Sequence, residues 1–98
     1  MNAEEAARLF DNLFKTIDRH QKLSNEDKSD LKTEIEELRQ ELNKKDKANE
    51  SFLMRRLRNI GRMAPDILEV TLATIINPVL GYGVIAKKIA AKAKEAAT

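Results

Sequence analysis

Apolar positions recur along this chain in the three- and four-residue steps of α-helices, in blocks separated by polar interruptions. Ala6, Leu9, Phe10, Leu13, Phe14 and Ile17 form one stripe, and Asp11 with Lys15 and Asp18 with Lys22 are acid-before-base pairs at i,i+4 on the polar side. The stripe predicts a first helix over about residues 3–22, capped by Asn2, with Glu4 and Glu5 at the positive end of its dipole. Leu23-Ser24-Asn25 interrupts it, and Ser24 followed by Asp27 reads as a capping box with Asp in the place of Glu. In the second helix Leu31, Ile35, Leu38 and Leu42 step by four, three and four, a narrow seam with charged residues almost everywhere else. An isolated helix of this length gains little from propensity, so the seam needs the first helix, the rear half or another chain to cover it.

Residues 43–49 (NKKDKAN) drop the seam and read either as a hinge or as a solvated stretch of one long helix. Asn49 can cap a third helix in which Phe52, Leu53, Leu57 and Ile60 share a face and Arg55, Arg56, Arg58 and Arg62 take much of the other. Gly61 and Pro65 limit that helix, and a break is expected near Met63, because proline disfavours helix at the residue before it and suits the first turn of the next. DILEVTLATII, residues 66–76, is apolar on nearly every face, the pattern of a helix that is buried or in lipid. Asn77-Pro78 reads as a cap and restart, opening a helix that carries Gly81 and Gly83 early and ends in an Ala/Lys-rich run.

Composition narrows the class. Three Gly, two Pro and four aromatics among 98 residues leave little for a turn-rich β fold, and Leu, Ile, Val and Phe make up about a quarter of the chain, enough for a core. We expect an all-α fold of four to five helices forming a single domain over residues 1–98. Its front, 1–48, reads as an acidic amphipathic hairpin or long helix, and its rear, 49–98, as a basic, apolar core segment. The charge is divided the same way: residues 1–50 hold 13 acids and 10 bases, residues 51–98 hold 3 and 8.

The residue types for most chemistry are missing. Without Cys there is no thiolate metal site and no cysteine nucleophile, and the acidic N-terminal segment lacks the basic and apolar regions of a signal peptide, so a cytoplasmic setting is expected. Ser24, Ser29 and Ser51 lie in no nucleophile elbow, and the glycines form no phosphate loop. His20 stands without a co-ligand and reads as a surface or dipole partner. Glu34, Glu36, Glu37 and Glu41 read as a solvated face, with Glu41 pairing to Lys45. We therefore expect no catalytic, cofactor or metal residues.

Two surfaces invite partners. The Arg55-Arg56-Arg58-Arg62 and Lys87-Lys88-Lys92-Lys94 groups suit phosphates, but without interleaved aromatics nucleic acid is disfavoured. Val70 to Ala86 runs 17 residues without a charge, at the lower limit of a membrane span, with Asn77-Pro78 breaking its middle. A membrane-associating protein or effector using residues 67–86 is thus the alternative reading.

LSNEDKSDLKTEIEELRQEL (23–42) and FLMRRLRNIGRMAPDILEVTLATIINPVLGYGVIAKKIAAKAK (52–94) together resemble an uncharacterised helical module at the C-terminal ends of larger prokaryotic proteins. The resemblance leaves the first helix uncovered. It implies an appended interaction module and supplies no activity, cofactor or catalytic residue.

The functional expectation is a non-enzymatic interaction or self-association module. It would pair, most simply as a homodimer or with another helical protein, through Leu31, Ile35, Leu38 and Leu42. Phe10, Phe14, Leu68, Leu72, Ile75 and Ile76 are the further interface candidates.

Overall fold

A computed structural model describes residues 3–97, and Asn2, the expected first cap, lies outside that range. The described residues form five α-helices and no strand: α1 (Ala3–Asp18), α2 (Asn25–Leu42), α3 (Glu50–Met63), α4 (Pro65–Ile75) and α5 (Val84–Ala97). The caps fall where the sequence places them. The Ser24 hydroxyl accepts from the Asp27 amide at 3.1 Å and the Asn49 side chain from the Phe52 amide at 3.0 Å, each satisfying a donor that the helix leaves open. Ala64 is extended and Pro65 takes the first position of α4, so the chain breaks sharply between α3 and α4.

Two boundaries differ from the sequence expectation, and one that it left open is settled. α1 stops at Asp18 rather than continuing to residue 22, one position past Ile17, the last apolar member of its stripe; Lys28 Nζ donates to the Asp18 carbonyl and His20 turns away to Asp66. Residues 43–49 are a hinge with one short 3-10 turn, Lys45–Lys47, in which Lys45 takes a positive φ of 54°. Asn77-Pro78 opens a 3-10 turn, Pro78–Leu80, and not α5 itself; Gly81 and Gly83, both at positive φ, lie outside the helix that they were expected to begin.

Side-chain contacts fix how the helices run. Asp18 meets Lys28 and Lys32 while Phe10 lies under Arg39, so α1 and α2 are antiparallel. Glu41 reaches the Asn49 amide, Glu37 reaches Arg56 and Glu34 reaches Asn59, so α2 and α3 are antiparallel too. The molecule measures 35 × 32 × 19 Å, and its short axis has room for two layers of helices about 10 Å across. Its radius of gyration, 12.6 Å, is that of a fully collapsed chain of this length, with no projecting coiled-coil arm.

One buried cluster draws on every helix, from Phe10, Leu13 and Ile17 through Leu53, Leu57 and Ile60 to Ile89. The core therefore does not belong to the rear half alone. The front helices contribute seven of its large side chains, each worth about 1.5–3 kcal/mol on burial.

Candidate functional site

Leu31, Ile35, Leu38 and Leu42 have no exposed surface, because the chain's own helices cover the seam. Phe10, Leu72 and Ile75 are equally buried, Phe14 and Leu68 are half-buried at the edge of the core, and only Ile76, 37% exposed, faces solvent. The seam thus finds its cover within the chain, one of the covers that its spacing allowed, and a partner helix would have to displace α3 to reach it. α4 is less enclosed than its composition suggests: Val70 joins Ile76 on its open side, while Ile67, Thr71, Leu72 and Ile75 face inward.

What remains open is a groove of about 720 Å³ between α3, α4 and α5. Met54 and Leu57 of α3 and Leu68 and Leu72 of α4 make an apolar floor, and Ala93 and Ala96 line the α5 side. Small residues shape it. A Cβ on Gly61 would stand 2.9 Å from Leu68 Cδ2, the far end of a side chain at the groove's edge, and the alanines keep the α5 wall thin. Arg58, Arg62 and Lys94 sit on the rim with Glu69 as the opposing acid, and all four are exposed. None of the three cations has an ion pair among the described residues, whereas other cations of the rear half do: Arg56 pairs with Glu34 and Glu37, and Lys88 and Lys92 with Glu50. A smaller hollow of about 320 Å³, bordered by Asp30, Glu34, Asn59 and Arg62, lies between α2 and α3.

The sequence reading named Arg58, Arg62 and Lys94 as phosphate-type cations and Leu68 and Leu72 as interface candidates, but it did not place them around one groove. Met54, Gly61, Ala93 and Ala96 were missed as lining. Gly61 in a helical run and the Ala spacing late in the chain were the available signals for close helix approach.

The acidic cluster is not merely solvated. Glu37 accepts from Arg56 Nη1 at 2.6 Å, and Glu34 lies 3.4 Å from Arg56 Nε and accepts from Asn59 at 3.3 Å, so these acids tie α2 to α3. Glu41 pairs with Lys44, not Lys45, and accepts from the Asn49 amide at 2.8 Å. That amide first, then Lys44, holds the Glu41 carboxyl below the usual glutamate value. Lys92 and then Lys88 do the same for Glu50. Burial pushes the Tyr82 phenol up, with the Arg39 guanidinium opposing. His20 is a tie between elements: Nε2 lies 2.8 Å from Asp66 at the start of α4, and Nδ1 accepts from the Lys22 amide.

Among the described residues no three His, Asp or Glu side chains converge as a metal site, and no helix is long and apolar enough to cross a membrane. Comparison with curated proteins and with solved structures returns no match. A family model does match, over residues 7–96, and so takes in all five helices, including the first, which the resemblance noted above leaves out. The chain belongs to the family described as ternary complex associated domain 2.

Proposed function

We propose that this chain is a non-enzymatic interaction module that joins a complex with other proteins, and that the groove between α3, α4 and α5 is its contact surface. The observation that carries this reading is the groove itself. Once the seam and the amphipathic stripes are spent on the core, it is where clustered apolar surface stays open beside unpaired charge. The family description, an association with a ternary complex, supports a partner-binding role. The resemblance to modules at the C-terminal ends of larger prokaryotic proteins is in keeping with an appended part. Self-association through Leu31, Ile35, Leu38 and Leu42 would require the fold to open, so we place the partner in a different protein.

The test is native mass spectrometry of the tagged chain recovered from its own cells. A discrete stoichiometric assembly with other proteins is the expected result. Recovery as a lone monomer, or as a homo-oligomer without other proteins, overturns the reading.

A further inference from the structure

We infer that the groove receives an acidic amphipathic helix of the partner protein, with an apolar row on the floor and carboxylates against the rim. This rests on the interaction-module reading above and specifies its occupant. From Met54 to Arg62 the groove follows α3 over nine residues, about 12 Å, which matches roughly two turns of a docked helix and its i, i+3/i+4 and i+7 anchors. Charge sets the occupant's sign. The rim carries Arg58, Arg62 and Lys94 against Glu69 alone, a surplus of two positive charges. Arg62 and Lys94 lie in last turns, where helix dipoles already favour cations; Arg58 is in the body of α3 with neither that reason nor an ion pair for being there. A carboxylate brought by a partner supplies one.

The occupant does not come from a second copy. The stripe of α2 is buried, that of α1 leaves only Leu9 and Phe14 half-covered, and the exposed large apolar residues among those described, Val70, Ile76 and Val84, form no helical row of two turns. Nor does the groove suit nucleic acid: its floor is aliphatic, and no aromatic side chain lines it for base stacking.

The probe is a displayed library of helical peptides with a fixed row of Leu and flanking positions randomised among Glu, Lys and Ser, panned against the whole chain. Glu should dominate the flanks of the selected peptides. In fluorescence anisotropy the double reversal Arg58→Glu with Arg62→Glu, at exposed positions that leave the core untouched, should weaken a selected peptide about tenfold, and exchanging that peptide's Glu for Lys should restore binding. Selection of Lys- or Ser-flanked peptides, binding that ignores the reversal, or no selected binder at all overturns the proposal. So does capture of the chain by vesicles of anionic phospholipid that the same reversal abolishes, which would assign the groove to a membrane surface. If the native assembly persists with both reversals in place, the groove proposal fails and the interaction module stands. If there is no native assembly, the broader reading fails whatever the peptides do.

Discussion

Arg56 shows how much one side chain on the inner face of α3 holds. It stacks 5.0 Å from the Phe52 ring centroid, gives Nη1 to Glu37, and sets Nε beside Glu34, where Nε is buried without a hydrogen-bond partner. Truncation would leave Glu34 short of its cation, so Arg56→Ala should cost about 1–2 kcal/mol in urea unfolding, and Arg56→Lys, which keeps the charge but loses the planar fork, should fall between. Gly61 should behave in the opposite sense. The atom its added methyl would meet is the far end of Leu68, at the groove's edge and free to turn, so Gly61→Ala should keep stability level or raise it by up to about 1 kcal/mol in the same assay. These are also the residues at which the sequence was least informative. The Ser24, Asn49 and Asn77 caps and the Pro65 break are written locally, in residues one to three positions apart. The Glu37–Arg56 pair joins residues 19 apart, and nothing nearby in the chain announces it.

At the scale of elements, α2 is the piece whose need for cover was readable and whose source of cover was not. The a/d spacing announces a buried stripe, but the same spacing serves a neighbour in the chain and a second molecule equally well. The antiparallel run of Glu41, Glu37 and Glu34 along α3 is what settles the pairing. Ile35 is fully enclosed, so Ile35→Ala should cost about 2–5 kcal/mol, and Ile35→Asp should abolish the cooperative thermal transition seen by circular dichroism. Light scattering on Ile35→Asp should then detect an expanded chain and not a smaller folded unit; a folded particle of half the mass would restore the seam to a role between chains. α4 carries a parallel lesson: a nearly all-apolar composition predicts full burial, yet a helix lying at the edge of a small domain leaves part of its circumference open.

The whole molecule balances an acid-rich front against a base-rich rear, and the structure shows where the balance is made by contact. Glu34 and Glu37 of α2 meet Arg56 of α3, while Glu50 at the head of α3 gathers Lys88 and Lys92 of α5. The lowered carboxyls of Glu41 and Glu50 stabilise the fold fully above the usual glutamate value, and that contribution is lost as pH falls through their depressed values. Stability should therefore hold through neutral pH and fall on the acid side, and Glu50→Gln should flatten the acid slope while lowering the neutral plateau in urea midpoints. Tyr82, raised by burial, works the other way: its neutral phenol favours the fold below the ordinary tyrosine value, and this is lost as pH rises through the raised one, a decline that Tyr82→Phe should remove. Charge asymmetry was plain in the composition; which acids meet which bases depends on how helices lie side by side, which no local pattern encodes. The anchoring of α5 has a consequence for what the groove can hold. Among the described residues Ile89 is the one large side chain that this helix buries fully, Ala86, Ala90 and Ala93 adding little, and the Glu50 pairs that fasten it are surface contacts. The cleft thus has one wall, α3 and α4, anchored by six large buried side chains, and a second, α5, anchored by one. On the proposed reading of the groove, a bulkier guest is seated by shifting α5 alone, so helical peptides of unequal girth should all bind without lowering the domain's thermal midpoint.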